Sequence, residues 1–133
     1  MSADTNMIRI LAVDDHPMFL EALAALLGSQ PDMRVVAAAA SGREAIQQFR
    51  THQPDITLMD LQMPGMNGLD AMAAIRKEFP GARIIILTTY ENDVKDAMNG
   101  GARAYVLKTY LDKELFGTIR AVHAGKCSLS EVP

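Results

Sequence analysis

The chain has 133 residues, 49% of them apolar and 22% charged, with a formal net charge of −3. That length suits one domain whose core can stand without disulfides. No basic block is present, so this chain taken alone lacks the footprint of a nucleic-acid binder, and no apolar run approaches the roughly 20 residues of a membrane-spanning helix. The single cysteine, Cys127, allows no internal disulfide, which fits a reducing cytoplasm. Met1-Ser2-Ala3-Asp4 is polar and lacks the basic-then-apolar layout of a secretory signal.

Short β-type runs alternate with amphipathic helical stretches along the whole chain. A strand is expected over about 8–13, then a helix from Pro17 with Phe19, Leu23, Leu26 and Leu27 on one face and Gly28 at its end. A second strand falls at about 34–38. Ser41-Gly42-Arg43-Glu44 reads as a capping box opening a helix that carries Ala45, Ile46 and Phe49. The third strand is about 56–59, followed by a loop from Leu61 to Asn67. Asn67 and Asp70 mark the next helix start, with Leu69, Met72, Ile75 and Phe79 on its inner face. Strand four, about 83–88, contains the unbroken run Ile84-Ile85-Ile86-Leu87. A shorter helix over about 92–99 ends at Gly100-Gly101, strand five covers about 104–107, and a last helix covers about 112–124 before Gly125.

Five β–α units in strict alternation predict an α/β fold, a parallel five-stranded sheet covered by helices on both faces. Continuous apolar strands, rather than alternating ones, agree with two covered faces. The flavodoxin-like order 2-1-3-4-5 makes strands one and three neighbours and places a switch point between them.

The chemistry sits where strands end. Asp14 and Asp15 follow the first strand, Asp60 the third, Thr88 closes the fourth, and Lys108 follows the fifth. Ligand sites in open α/β sheets lie at the carboxyl ends of strands. Three carboxylates at one rim repel one another unless a cation joins them. Lys108 supplies one positive charge, and Mg²⁺, which favours a few carboxylates plus waters and phosphate oxygens, is the natural candidate for the rest. A carboxylate such as Asp60 can attack phosphorus and form an acyl phosphate. Taken singly, each residue also has a plain reading. Asp15 could cap the helix starting at Pro17, Thr88 is an ordinary strand residue, and a strand-end lysine is commonly solvated. His16 reads as a loop residue and not as a metal ligand. What separates the two readings is convergence, because independent surface roles do not predict one shared rim.

Val13-Asp14-Asp15-His16-Pro17, the run from Leu58 through Asp60 to Gly68, Leu87-Thr88-Thr89, and Gly101 through Lys108 together resemble the receiver domain of two-component response regulators. The likeness covers about 7–125, and its finer wording is similar to the NarL/FixJ subgroup, whose receivers usually precede a LuxR-type helix-turn-helix domain. The resemblance implies that Asp60 accepts a phosphoryl group from a sensor histidine kinase. It implies a Mg²⁺ site made of Asp15, Asp14, Asp60 and the backbone carbonyl of Gln62. Lys108 would bridge to the phosphoryl group, Thr88 would be the switch hydroxyl, and Tyr105 the aromatic that changes rotamer with it. It implies a domain over 1–125, with 126–133 as the start of a linker to an output domain that is not in this chain. DNA contact would come only through that domain, no membrane is involved, and a homodimer on phosphorylation is an option. The protein would be cytoplasmic and not an enzyme beyond its own phosphorylation and dephosphorylation.

Some positions depart from the family pattern. Thr109 replaces the proline that commonly follows the lysine, which leaves the Lys108–Thr109 peptide open between cis, at about 2.5–4 kcal/mol for a non-proline bond, and trans. The stretch from Thr88 to Lys108 counts about two residues short of the family pattern, which puts the loop near Tyr90 in question. Gln62 and Tyr90 flank the expected site and are placed to gate water. Two enzyme or cofactor readings compete. A haloacid-dehalogenase-type phosphohydrolase needs a second acid two residues after Asp60, where this chain has Gln62. A flavin module needs a phosphate-binding Ser/Thr/Gly loop where this chain has Asp14-Asp15-His16-Pro17. A folded receiver that is never phosphorylated is a further option, against which the intact acidic set stands.

Overall fold

A computed structural model describes residues 7–125. The expected linker start at 126–133, Cys127 and the first six residues lie outside the described residues. The elements are β1 (Ile8–Val13), α1 (Pro17–Gly28), β2 (Met33–Ala39), α2 (Gly42–His52), β3 (Ile56–Asp60), α3 (Gly68–Glu78), β4 (Ile84–Thr88), α4 (Val94–Asn99), β5 (Ala104–Leu107) and α5 (Leu111–His123). The strands form one parallel sheet in the order β2-β1-β3-β4-β5. This is the flavodoxin-like arrangement expected from the alternation. A register shift between Ile10 and Leu11 marks a bulge in the β1–β2 ladder.

Two cores result, one on each face of the sheet, and β4 shows why its apolar run is unbroken. Ile84 and Ile86 point into the cluster under α2, α3 and α4, where Phe49, Met72, Ile75 and Ala97 are buried. Ile85 and Leu87 point into the opposite cluster with Leu23 and Leu27 of α1 and Leu115, Ile119 and Val122 of α5. Successive strand side chains alternate faces, so a strand covered twice needs an apolar residue at every position. Each such side chain contributes about 1.5–3 kcal/mol of burial.

The helix starts follow their sequence signals with small differences. Ser41 Oγ accepts the Glu44 N–H at 3.1 Å, and Asn67 Oδ1 accepts the Asp70 N–H at 2.9 Å. The return arm of the capping box goes one residue further back than expected, from Glu44 Oε1 to the Ala40 N–H. Asp15 does not cap α1: the N-cap is His16, with no side-chain bond to the helix. The helix expected over 92–99 divides into a 3-10 turn, Glu91–Asp93, and the six-residue α4. Asp93 precedes α4 with helical backbone angles and makes no side-chain cap bond; its carboxylate accepts the Gln62 amide at 2.8 Å. A second 3-10 turn, Lys108–Tyr110, leads into α5. No peptide bond among the described residues is cis, so Lys108–Thr109 is trans. None of the described helices is long and apolar enough to cross a membrane.

Candidate functional site

Register brings the acids together. Val13 pairs with Met59, so the residues that follow, Asp14 and Asp60, leave adjacent strands side by side. Asp14 extends the ladder by donating its N–H to the Ala39 carbonyl at 3.0 Å. Thr88 pairs with Leu107, which puts Lys108 one step beyond it on the neighbouring strand. Strand ends thus place the carboxylates and the ammonium at one rim without any long-range coincidence of loops.

Lys108 Nζ lies 2.8 Å from Asp14 Oδ2 and 3.4 Å from Asp60 Oδ1. The Asp14 and Asp60 side chains are 1% and 4% exposed, that of Lys108 19%. One cation therefore serves two buried anions, and the charge is not balanced. Burial pushes the Asp60 carboxyl up, with Asp14 adding to the rise, and Lys108 does not fully offset this. Burial pushes Asp14 up as well, but hydrogen bonds from Lys108 and His16 outweigh it and hold the group below the usual carboxylate range. The Lys108 ammonium also stands 4.4 Å over the ring centroid of Phe19 on α1. That cation–π contact adds to the attraction holding the ammonium at the rim.

Asp15 completes the trio. Its Oδ1 is buried and accepts no hydrogen bond, although His16 Nδ1 is 3.0 Å away. A buried, unsatisfied carboxylate oxygen beside a second carboxylate is what a divalent cation would satisfy. Asp14, Asp15 and His16 offer donor atoms within 4.8 Å of one another. The residues present thus fit Mg²⁺ in their chemistry. His16 lies outside the helix as expected. Its ring, however, joins the acid pair, at 2.8 Å from Asp14 Oδ1, and that hydrogen bond raises its pKa.

The remaining expected residues surround this centre. The Thr88 hydroxyl is fully buried and turned toward its own loop, donating to the Tyr90 carbonyl at 3.4 Å and accepting the Tyr90 N–H at 3.2 Å. Tyr105 is partly buried against the core under α4. The Gln62 backbone amide favours the charged form of Asp60, while its side chain reaches away to Asp93. Tyr90 is 59% exposed at the rim.

Gly68, the first residue of α3, is a positional requirement that the sequence reading missed. A Cβ there would collide with the Asp60 carbonyl oxygen and stand 2.9 Å from Leu61 Cα, both backbone atoms that cannot turn aside. The start of α3 presses directly on the strand end carrying Asp60. Gly68→Ala is therefore expected to lower the unfolding free energy by about 1–3 kcal/mol, read as a fall in the urea midpoint at unchanged slope.

Residues 10–120 match the family described as "Response regulator receiver domain". Among similar proteins, the transcriptional regulatory protein LiaR of Bacillus subtilis is 40% identical over 125 residues, 92% of this chain and 59% of LiaR. The oxygen regulatory protein NreC of Staphylococcus haemolyticus is 38% identical over 122 residues, 90% of this chain and 56% of NreC. The chain thus spans somewhat more than half the length of these relatives. Among solved structures, a LuxR-family two-component response regulator from Aurantimonas sp. SI85-9A1 superposes with a TM-score of 0.87 at 38% identity, covering 91% of this chain and 88% of that one. The response regulator domain of Thermotoga maritima CheB gives 0.83 at 31% identity, covering 89% and 97%. With the register, the shared cation and the acid trio of the strand ends, these likenesses lead to one conclusion: the chain belongs to the response regulator receiver domains, in their NarL/LuxR branch.

Proposed function

We propose that Asp60 takes a phosphoryl group from the phosphohistidine of a sensor histidine kinase in a Mg²⁺-dependent step, and that the resulting change controls an output domain that binds DNA. The observation that carries this reading is Lys108 Nζ held between Asp14 and Asp60 at 2.8 and 3.4 Å on a buried strand rim. Asp15 would be the main metal ligand, with Asp14, Asp60 and the Gln62 backbone carbonyl completing the protein's share. When bound, Mg²⁺ supplies positive charge against the phosphoryl oxygens.

The chain's own groups do the rest. An Asp60 oxygen bonds to phosphorus as the phosphorus–nitrogen bond to the kinase histidine breaks. Lys108, a compact charge on a flexible stem, transfers its contact from Asp60 Oδ1 to a phosphoryl oxygen. The Thr88 hydroxyl exchanges the Tyr90 carbonyl for another phosphoryl oxygen. Freed of that tie, the Tyr90 loop moves and Tyr105 turns inward, altering the surface of α4, β5 and α5. The phosphoryl group drives this change because it interacts with one of the two arrangements and not the other. The domain runs over 1–125, with 126–133 as the linker start; the protein is cytoplasmic, turns over only its own phosphoryl group, and forms a homodimer when phosphorylated.

Incubation with Mg²⁺ and acetyl phosphate, followed by intact mass measurement, tests this. One labile phosphoryl adduct that vanishes in EDTA is expected. Multiple turnover of small phosphate esters would contradict the reading. Gln62 and Tyr90 are expected to set the adduct's lifetime, Gln62 once its amide leaves Asp93. Replacing both with alanine should change the dephosphorylation rate, and an unaltered decay in a mass time course would refute that role.

A further inference from the structure

We propose that Arg76 is a pin that holds α4 by its carboxyl end, so that the helix moves by turning about Gly100–Gly101. α4 has six residues and buries one of them, Ala97. A helix that short does not hold together in water by itself, so whatever touches its ends decides its position. No side chain caps its amino end, and its last turn carries no basic residue. The cation that suits a helix carboxyl end comes from α3 instead. Arg76 Nη1 donates to the Gly100 carbonyl at 3.2 Å.

The turn after α4 is shaped to receive that side chain. The Ala102 N–H reaches the Ala97 carbonyl at 3.1 Å and the Gly101 N–H the Met98 carbonyl at 3.1 Å, the paired bonds of a Schellman end. They leave the Gly100 carbonyl to Arg76. Gly101 has a φ of +105°, and a Cβ there would collide with the guanidinium and stand 2.8 Å from Nε. A glycine is what lets the guanidinium lie against this backbone. Arg76 Nε is buried there without a hydrogen-bond partner, so the group is committed to the turn and not spread into solvent. Met72, one turn earlier on the same face of α3, supports the neighbouring residue: a Cβ on Gly100 would stand 3.1 Å from Met72 Cε. The two ends of α4 are thus held unequally. The amino end has the exposed Gln62–Asp93 bond. The carboxyl end has two side chains of α3, and the chain then enters the sheet, with the Arg103 N–H on the Ile84 carbonyl at 2.9 Å. A displacement that starts in the Tyr90 loop swings the amino end and leaves the pinned end in place. That last step rests on the receiver reading above; the pin does not.

Hydrogen–deuterium exchange of the whole chain tests the pin. In Arg76→Ala the amides of 98–102 should exchange on the order of tenfold faster, as a bond from a charged donor is lost, while α1 and α5 change by less than about twofold. Asp93→Ala frees only the amino end and should leave 98–102 within about twofold of the wild type. Arg76→Lys keeps a charged donor without the flat group and should fall between the wild type and Arg76→Ala. Gly101→Ala puts a methyl where the guanidinium lies; it should speed the same amides, and add less in combination with Arg76→Ala than it does alone. Unchanged exchange at 98–102 in Arg76→Ala, or equal acceleration there by Asp93→Ala, would overturn the proposal. Equal acceleration of α1 and α5 in Arg76→Ala would make Arg76 a prop of the whole fold and overturn it too. After acetyl phosphate and Mg²⁺, protection should change over 91–96 and persist at 98–102, and loss at 98–102 would overturn the swing. A chain that takes no phosphoryl adduct would overturn the receiver chemistry, while the resting comparison decides the pin by itself.

Discussion

Asp60→Asn is expected to abolish the phosphoryl adduct and, in metal-free buffer at neutral pH, to raise the unfolding free energy on the order of 1 kcal/mol. The two effects share one cause. Burial pushes the Asp60 carboxyl up because its charged form is poorly solvated and shares Lys108 with Asp14. A neutral amide of nearly the same size removes the repulsion and the nucleophile together. The sign with pH follows from linkage. A folded-state pKa above the unfolded value makes a contribution fully present below the unfolded value and lost as pH rises through the folded one. The advantage of the variant should therefore be largest near neutral pH and shrink toward pH 3.8, the ordinary value for the group. Asp14, held low, works in the other direction in both proteins and is coupled to Asp60 through the shared Lys108. Urea unfolding of the two proteins at neutral and acidic pH measures this. A variant less stable than the wild type at both would show that Asp60 is charge-balanced in the resting fold.

Lys108→Ala should be the most damaging single change at the site. Removing one partner of a buried ion pair leaves uncompensated charge at about 3–5 kcal/mol. The 19% exposure of Lys108 places this case toward the lower end. Two carboxylates lose their cation at once, and Phe19 loses the stem and charge over its ring. Lys108→Met separates these contributions, since it keeps an apolar stem against Phe19 and removes only the charge. Lys108→Arg is not expected to restore phosphoryl uptake, because a planar fork cannot take the place of a point charge between the two acids. Added Mg²⁺ should return part of the lost stability to either neutral variant. A loss under about 1 kcal/mol in metal-free urea unfolding would place the pair with exposed, weakly coupled ions.

The strand order and both cores were readable in the sequence because period and burial are local signals. Ile84-Ile85-Ile86-Leu87 announces a doubly covered strand, and Ser41 and Asn67 announce helix starts, without knowledge of any partner. The strand-end acids were readable for the same reason, since parallel register carries Asp14 beside Asp60 and Lys108 beside Thr88. What escaped depends on contacts between distant segments. Nothing near Phe19 signals that Lys108, 89 residues later in the numbering, rests on its ring. Nor does any local pattern signal that Gln62 reaches 31 residues along the chain to the Asp93 carboxylate. Gly68 did leave a trace: glycine at a helix start, where it weakens the helix, points to close backbone approach. His16 was adjacent to the acids in the chain, yet the turn that folds its ring back onto them is visible only in space.

The clustered carboxylates, with the unsatisfied Asp15 Oδ1 among them, fit a divalent cation. Urea unfolding with and without Mg²⁺, in the wild type and in Asp15→Asn, tests it most directly. A ligand that binds only the folded state adds about 2.7 kcal/mol at a concentration one hundred times its Kd. A concentration-dependent gain is expected in the wild type and should be mostly lost in Asp15→Asn. A wild-type unfolding free energy unmoved by Mg²⁺ would contradict it.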